Sequence, residues 1–251
     1  METRKVNLLW TSGWDSTFRL LQLGLLEIEI QPYYFIDSGR KSKDIEMKQM
    51  KLILEKIREN KMFKANINEI IFIKVEDVLE NMKNEEISTI YRELKEKYKL
   101  GSQYEWFSLY CNNKNLDMEL GIEKSPRDKM LKVLNNEECN LKSIENDFLE
   151  DRKIIGNENS KFYPMGKHFI FAITNYSKKD MEEIAKKMEG WLDIMKLTWF
   201  CHIPINNKPC GYCNPCRDAM NLEMKWRMPF ISKLRYYLLV PLVDLKRKLK
   251  L

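Results

Sequence analysis

The sequence predicts an α/β fold in which helices cover both faces of a parallel sheet, and three observations lead to this prediction. Short apolar segments of strand length alternate with amphipathic helical segments over residues 5–75, which is the usual order for a parallel sheet. A loop of small residues separates the first strand from the first helix. With 251 residues, 44% of them hydrophobic, the chain is also long enough to bury a large core.

The alternation is clearest in the first third of the chain. Phe18, Leu21 and Leu25 recur at helical spacing and predict the first helix. The second helix is amphipathic, with its apolar side formed by Ile45, Met47, Met50, Ile53, Leu54 and Ile57. In chain order, the expected elements are strand 5–10, helix 15–26, strand 29–36, helix 43–60 and strand 69–75.

After the third strand the sequence becomes mostly helical. We expect helices at 77–82, 87–98 and 102–112, and two further strands at 116–122 and 168–173. Residues 125–159 are rich in Asn, Glu and Lys and have weak periodicity, and helix is the expectation there. Ser177 is followed by Asp180 three residues later, a pattern that favours the start of a helix. We expect this helix to end near residue 188.

Four cysteines near the C-terminus, Cys201, Cys210, Cys213 and Cys216, have the spacing of a metal site. Cysteines two residues apart can place both thiolates on one divalent ion, and two more complete a tetrahedral shell. A structural zinc site is therefore the first prediction, and an iron–sulfur cluster is the main competitor. Disulfides are a weaker interpretation, because the chain is long, has no apolar leader and contains two further cysteines without an obvious partner.

The basic charge of the chain is concentrated at its C-terminus. The whole chain has a net charge of +6, but residues 225–251 contain eight basic side chains against one acidic side chain. The remainder is close to neutral, so nucleic-acid binding by the body is not expected. No apolar run approaches the roughly 18 residues that a membrane span needs, and the sequence predicts a soluble, cytoplasmic protein.

The basic C-terminal segment is also amphipathic. One face persists through Pro241 and contains Phe230, Ile231, Leu234, Tyr237, Leu238, Leu242, Leu245 and Leu249. This face could dock on the body of the protein or on a second copy. Binding of another partner or contact with a membrane surface are the alternatives.

The loop after the first strand has the composition of a phosphate-binding loop. Its residues are Thr11, Ser12, Gly13, Trp14, Asp15, Ser16 and Thr17. Small residues allow backbone N–H groups to point into one concavity, and the following helix presents its positive end to the same place. The alternative is an ordinary strand-to-helix connection in which Asp15 caps the helix.

The same loop resembles the PP-loop of the ATP pyrophosphatases, Ser-Gly-Gly-x-Asp-Ser-Thr. Gly13, Asp15, Ser16 and Thr17 match this motif directly. Thr11 and Ser12 stand in the places of the serine and the first glycine, so the match is incomplete at its start.

Within that superfamily, the C-terminal part of the chain resembles QueC, the 7-cyano-7-deazaguanine synthase family. The resemblance is carried by residues 197–201, Leu-Thr-Trp-Phe-Cys, and residues 210–216, Cys-Gly-Tyr-Cys-Asn-Pro-Cys. Arg40 stands where the family has a basic residue in its nucleotide loop, and Lys178 and Lys179 open a helix as a family lysine does. The family's Pro-Gly-Arg-Asn segment corresponds to residues 100–103, which lack the arginine, and its deazaguanine-holding segment with Tyr and Cys has no counterpart here.

The resemblance implies a Rossmann-like fold of the HUP class, also called adenine nucleotide alpha hydrolase-like. It implies two parts, an ATP pyrophosphatase domain at 1–196 and a zinc-binding lobe at 197–220. The basic amphipathic extension at 221–251 lies beyond the resemblance and is expected as a third part from its charge and periodicity. The resemblance further implies an ATP-dependent carbon–nitrogen ligase that adenylates 7-carboxy-7-deazaguanine and releases pyrophosphate. Ammonia would then give the amide, which a second ATP-dependent step would convert to the nitrile.

The resemblance also implies roles for particular residues. Loop residues 11–17 and Arg40 would bind ATP, with Mg²⁺ held or the loop oriented by Asp15. Asp15, Ser16 and Lys178 would be catalytic, and Lys179 is the alternative to Lys178. The four C-terminal cysteines would bind structural Zn²⁺, and the protein would form a homodimer.

Three other functions compete with this prediction. A QueC-like enzyme of antiviral defence would join the deazaguanine to an amine of a partner protein. A PP-loop tRNA-thiolation enzyme would need a catalytic cysteine pair or an iron–sulfur cluster instead of a closed zinc site. A catalytically inactive scaffold ordered by zinc is the third, since the Cβ of Ser12 could crowd the approach of a phosphate.

Overall fold

The computed structural model describes residues 4–144, 149, 151–222 and 224–248, and it has an α/β fold. The strands of the described chain are β1 Lys5–Leu9, β2 Glu29–Ile36, β3 Asn66–Ile67, β4 Ile71–Lys74, β5 Met118–Leu120, β6 Leu141–Ser143, β7 Lys153–Ile155 and β8 Phe169–Phe171. The α-helices are α1 Trp14–Gly24, α2 Lys43–Glu59, α3 Val75–Asn81, α4 Glu85–Tyr98, α5 Gln103–Lys114, α6 Lys129–Asn136, α7 Tyr163–Gly166, α8 Lys178–Lys187, α9 Trp191–Lys196, α10 Asn214–Asn221 and α11 Phe230–Lys248.

The strands of the described chain form one sheet in the order β3-β2-β1-β5-β8-β7-β6, with β4 also paired to β2. Strand β1 lies parallel to both β2 and β5, and β5 lies parallel to β8. The chain first extends the sheet from β1 to β2 and later returns to the other side of β1 with β5. The point between β1 and β5 is therefore a topological switch point, where open α/β sheets form a crevice at the carboxyl ends of their strands.

The third predicted strand, 69–75, is two short strands in the structure. Both pair with β2 on the same edge, β3 with Glu29 and Ile30, and β4 with the residues from Tyr33 onward. Between them, the Asn68 side chain donates a hydrogen bond to Glu29 at 2.6 Å. These side-chain bonds take the place of a continuous ladder, and Val75 begins α3 instead of ending the strand.

The prediction of helix across 125–159 was only partly right, and the sheet is mixed instead of wholly parallel. Helix α6 lies in this segment, but β6 and β7 follow it and run antiparallel, with β7 also antiparallel to β8. These strands have three residues each, too few for an alternating pattern to show in the sequence. Residues 145–148 and 150 lie outside the described residues.

Helices cover both faces of the sheet, as expected, and each face has its own apolar core. One core is formed with α1, α2, α8 and α9 and includes the four C-terminal cysteines. The other is formed with α3 to α7. A buried ion-pair cluster lies near the sheet centre, where Glu119 accepts from Arg19 at 2.7 Å and pairs with Arg152 at 2.8 Å.

The C-terminal helix α11 continues through Pro241, and its first turn packs on the cysteine segment. Gly211 adopts a φ of +95°, and a Cβ there would lie 2.4 Å from the Ser232 carbonyl oxygen, so this approach requires glycine. Ser232 also donates a hydrogen bond to the Pro209 carbonyl at 2.5 Å. The docking side of α11 is therefore fixed by close backbone contact.

The predicted apolar face of α11 does not dock on the described body of the protein. Phe230 is 81% exposed and Tyr237 is 62% exposed. The other exposed members are Ile231, Leu234, Leu238, Leu242 and Leu245, and Leu249 lies outside the described residues. Contact with a second copy, a partner or a membrane surface stays a prediction. Among the described helices, none combines the length and apolar character needed to cross a membrane.

Candidate functional site

The loop predicted to bind phosphate lies at the switch point of the sheet, on the wall of a cleft. The cleft consists of two adjoining cavities of about 270 and 220 Å³. Both cavities are lined by Thr11, Gly13, Asp15, Arg40 and His202. Residues at the end of β5 line the first cavity, while the cysteine segment and Lys178 line the second. The structure thus brings most of the predicted site residues to one place.

The loop keeps a glycine-like conformation at Ser12. Its φ is +50°, in the left-handed region that a residue with a Cβ rarely adopts. Ser12 is fully buried, and its carbonyl oxygen accepts a hydrogen bond from the backbone N–H of Trp199 at 2.9 Å. The surrounding structure therefore holds the loop in the shape that the first glycine of the PP-loop motif would favour.

The other loop side chains divide into two groups. Ser16 lines the first cavity and accepts from the Thr11 N–H at 3.4 Å. Thr17 is fully buried and accepts from the Trp10 indole N–H at 3.0 Å. Trp14 is buried, and its ring contributes to the wall of the second cavity. Ser16 is therefore the hydroxyl of the Ser16–Thr17 pair that faces the cleft.

Asp15 forms an ion pair with Lys178, although the two residues are 163 positions apart. The Lys178 ammonium lies 3.2 Å from the Asp15 carboxylate and also contacts the Glu123 carboxylate. Lys178 is the first residue of α8, whose N-cap Ser177 forms the capping box with Asp180 that the sequence predicts. Lys179, in contrast, is exposed and lines neither cavity of the cleft.

The alternative role of Asp15 as a helix cap is not supported by the geometry. The N-cap of α1 is Gly13, and no side chain caps this helix. The unpaired N–H groups of the first turn are therefore left to other partners. They lie at the positive end of α1, next to the cleft, where an anion is favoured.

Arg40 is held at the cleft by a buried carboxylate. Glu46 is 2% exposed and accepts from Arg40 at 2.9 Å, from the Ser42 hydroxyl at 2.7 Å and from the Tyr34 hydroxyl at 2.9 Å. A buried carboxylate with several donors has a fixed position. Arg40 is consequently oriented before any ligand binds.

Burial and neighbouring charges shift the acid–base groups of the cleft. Burial, reinforced by the Asp15 carboxylate, raises the pKa of Glu123 to about 7, against the effect of Lys178. Burial opposes the charge of Lys178, but Asp15 and Glu123 outweigh it and raise the pKa of Lys178. Lys178 is therefore charged at neutral pH, while Glu123 gains or loses its proton near neutral pH.

Replacing Glu123 with glutamine should change how stability depends on pH. The folded-state pKa of Glu123 is about 7, above its ordinary value of 4.5. Folded chains therefore bind more protons than unfolded chains between these two pH values. This contribution to stability is fully present below about pH 4.5 and is lost as the pH rises through 7, a total of about 3 kcal/mol. In Glu123→Gln, the free energy of unfolding should no longer fall by this amount between about pH 4.5 and 8. Denaturant titrations across this pH range measure it.

The control for that measurement is Glu183→Gln, which removes an exposed carboxylate from the same helix as Lys178. If the Glu123 and Glu183 variants have the same pH profile as the unmodified protein, the proposed perturbation of Glu123 is wrong.

Several residues of the cleft were not identified from the sequence. Those that line its two cavities are Asp128, Tyr104, Phe107, Gly121, His202 and Arg227, and Glu123 contacts Lys178 next to them. Gln103, in the segment compared with the family's Pro-Gly-Arg-Asn, does line the first cavity. Local patterns gave no signal for the others, although residues just after a predicted strand such as β5 are natural candidates in an α/β fold.

Gly121 allows the end of β5 to approach the loop closely. A Cβ at this position would lie 3.1 Å from the backbone nitrogen of Ser16 and 3.3 Å from its Cα. Gly121→Ala should therefore displace the loop and destabilise the protein by about 1–3 kcal/mol. Gly101→Ala is the control, since its Cβ would meet nothing nearer than 3.8 Å. Equal unfolding free energies of the two variants in denaturant would contradict this account.

The four C-terminal cysteines form a cluster that could hold a metal ion such as zinc. Their Sγ atoms all lie within 4.8 Å of one another. The Cys210–Cys216 and Cys201–Cys213 sulfur separations are 3.8 and 3.9 Å. A tetrahedral ion with zinc–sulfur bonds of about 2.3 Å requires sulfur–sulfur edges of about 3.8 Å. The thiols thus already have the spacing of a tetrahedral ligand shell.

Backbone donors surround the sulfur atoms of this cluster. Cys210 Sγ accepts from the N–H groups of Tyr212 at 3.4 Å and Cys213 at 3.3 Å, and Cys201 Sγ accepts from the N–H of Cys210 at 3.1 Å. Hydrogen bonds from the other cluster thiols lower the pKa of Cys210. Such donors stabilise thiolates, which are the form that binds metal.

The remaining cysteines lie apart from this cluster. All six cysteines are free thiols. Cys111 lies inside α5 and Cys139 lies in the loop between α6 and β6, and both are fully buried. His202, next to Cys201 in the sequence, lines the cleft and is not a member of the cluster.

The cysteine cluster and the loop are joined by a short covalent and hydrogen-bonded path. The Trp199 backbone N–H bonds to Ser12, and its indole N–H donates to the Cys201 carbonyl at 2.7 Å. Ordering of the cluster therefore bears directly on the position of the loop.

Compared with known proteins, the chain matches no protein-family model and shows no significant similarity to any curated protein.

Proposed function

We propose that this protein is an ATP-dependent ligase that adenylates a carboxylate of the 7-deazaguanine class and passes the acyl group to an amine. The observation that carries the proposal is the ion pair between Lys178 and Asp15, a residue of the 11–17 loop, at the switch point of the sheet. A loop, an uncapped helix N-terminus and a compact cation at one point are suited to a polyphosphate. The QueC-like sequence segments supply the choice of substrate.

The reaction has two steps in this proposal. A carboxylate oxygen attacks the α-phosphorus of ATP, the bond from the α-phosphorus to the bridging oxygen breaks, and pyrophosphate leaves. The amine nitrogen then attacks the acyl carbon of the mixed anhydride, the bond to AMP breaks, and the nitrogen loses a proton. Mg²⁺ would neutralise the charge that develops on the phosphates, and Asp15 is the loop carboxylate suited to hold it.

The residues of the cleft have distinct roles in this chemistry. The backbone N–H groups at the start of α1 and the Ser16 hydroxyl would bind the phosphates. Lys178 would stabilise the developing negative charge, because a preorganised cation in a partly dry site acts without reorganisation of solvent. Arg40, which lines both cavities and is fixed by Glu46, would also bind the nucleotide. Zn²⁺ in the cysteine cluster would have a structural role only, since four thiols leave no open ligand position.

The direct test is an exchange assay with purified protein, ATP, Mg²⁺ and 7-carboxy-7-deazaguanine. Labelled pyrophosphate should enter ATP only when the carboxylate is present. With ammonia added, mass spectrometry of the products should show the amide. With further ATP it should then show the nitrile, formed when the amide oxygen attacks the α-phosphorus of a second ATP, pyrophosphate leaves, and the C–O bond to AMP breaks as the nitrogen loses its protons. Absence of exchange with this and related carboxylates, despite bound nucleotide, would contradict the proposal and favour an inactive scaffold.

A second candidate acceptor, an amine of a partner protein, is favoured by one observation. The apolar face of α11 exposes several large side chains along one helix, among them Phe230 and Tyr237. A surface of this kind is typical of protein docking sites. A mass increase on a partner polypeptide, in place of a small nitrile product, would identify this acceptor.

A further inference from the structure

Arg227 belongs to the C-terminal extension, yet its side chain lies in the cleft. It ends a short 3₁₀ turn, Lys225–Arg227, after the cysteine segment. Its guanidinium carbon lies 4.8 Å from the centroid of the Trp14 ring and 4.5 Å from that of the Phe200 ring. Two aromatic rings thus hold the guanidinium next to the first residue of α1.

Hydrogen bonds to Thr198 fix the orientation of this side chain. Arg227 Nη2 donates to the Thr198 carbonyl oxygen at 3.0 Å and to its hydroxyl at 2.7 Å. Both acceptors are neutral, and the bonds use one end of the guanidinium fork. Among the described residues, none accepts a hydrogen bond from the Nε or Nη1 group of Arg227.

Arg227 differs from the other two cations of the cleft in lacking a carboxylate partner. Arg40 pairs with Glu46, and Lys178 pairs with Asp15 and Glu123. Within the described part of the chain, no carboxylate oxygen lies within 4.0 Å of the Arg227 guanidinium. Burial lowers the pKa of Arg227 to about 10, so the side chain is still protonated at neutral pH.

A shielded cation without a carboxylate is costly unless an anion occupies the space beside it. Arg227 lines the same cavity as Gly13, Asp15 and Lys178. A guanidinium donates through a planar fork that matches the oxygen atoms of a phosphate. The unoccupied edge of the fork is thus suited to a phosphate at the N-terminus of α1.

We propose that Arg227 binds the polyphosphate of the nucleotide in the cleft, so that the C-terminal extension contributes a residue to the site. The inference rests on the proposed function, in which the loop of residues 11–17 binds ATP. It assigns the extension a part in ligand binding in addition to its packing on the cysteine segment. The competing explanation is that Arg227 only joins the extension to Trp14 and Phe200.

The test compares nucleotide binding by the unmodified full-length protein, Arg227→Gln and Lys225→Gln. Lys225 is an exposed basic residue two positions earlier, so its variant has the same change in charge. Calorimetry would use ATP with Mg²⁺, inorganic pyrophosphate with Mg²⁺, and adenosine. We expect Arg227→Gln to weaken binding of ATP and pyrophosphate by about 10- to 100-fold, with adenosine unchanged and Lys225→Gln like the unmodified protein.

The possible results distinguish a failure of this inference from a failure of the proposed function. If the unmodified protein binds neither ATP nor pyrophosphate, both the proposed function and the inference are overturned. If it binds both and Arg227→Gln binds them equally well, only the inference is overturned.

A third variant, Arg227→Lys, distinguishes binding from packing. It keeps the charge but loses the planar fork, and we expect a correctly folded protein with intermediate affinity for pyrophosphate. Near-ultraviolet circular dichroism reports the packing of the aromatic side chains, including Trp14, in each variant. If both substitutions at Arg227 change this spectrum while leaving affinity for pyrophosphate unchanged, Arg227 is a packing residue and the inference is wrong.

Discussion

Lys178→Met should reduce the rate of carboxylate-dependent pyrophosphate exchange by about 10²- to 10³-fold. Lys178 is the cation that meets both Asp15 and Glu123 at the cleft. Methionine has a similar length and no charge, so it removes the electrostatic stabilisation of the phosphates and leaves two carboxylates facing each other. The measurement is the exchange rate at saturating ATP and carboxylate, together with the ATP affinity.

The adjacent lysine provides a matched control for this prediction. Lys179 follows Lys178 in α8 but is exposed and lines neither cavity of the cleft. Lys179→Met should retain an exchange rate within about twofold of the unmodified protein, since isolated surface charges contribute little. Equal losses in the two variants, or full activity in Lys178→Met, would show that the Asp15–Lys178 pair does not act in the reaction.

Cys210→Ser should lower the metal content well below one ion per chain and destabilise the protein by at least about 4 kcal/mol. Structural zinc contributes an apparent 10–16 kcal/mol in small zinc-finger peptides, so loss of one ligand has a large effect. For a chain of this size, the expected decrease in Tm is on the order of 10 °C. Elemental analysis gives the metal and its stoichiometry, and thermal unfolding gives the Tm.

The two cysteines outside the cluster serve as controls. Cys111→Ala and Cys139→Ala each remove a fully buried thiol, with a cost of about 1 kcal/mol, and should retain the full metal content. Zinc should be the bound metal and the protein should be colourless. Visible absorption with stoichiometric iron would instead support the tRNA-thiolation alternative.

Metal loss should also affect the cleft in this account. Trp199 bonds both to Ser12 in the loop and to Cys201 in the cluster. Ser12 is held in a left-handed conformation that is unfavourable for a serine by itself. Without the cluster, the loop loses one of the contacts that hold it, and ATP binding in Cys210→Ser should weaken together with the metal content.

Features that depend on neighbouring residues could be predicted from the sequence. The alternation of strands and helices over residues 5–75 predicted the parallel centre of the sheet, and β2 has the predicted bounds. The capping box of Ser177 and Asp180 predicted the start of α8. The spacing of the four cysteines predicted their cluster. In each case, periodicity or spacing within a few residues determines the local geometry.

Features that depend on distant contacts were decided only by the tertiary structure. The sequence analysis named Lys178 with Lys179 as its alternative, and in the structure it is Lys178 that forms the ion pair with Asp15. The antiparallel β6 and β7, the role of Glu123 in the cleft and the position of Arg227 had no local signal. Periodicity specifies which face of an element is apolar. Which charged side chains come into contact is decided by packing between residues that are distant in the sequence, and the chemistry of this cleft depends on those contacts.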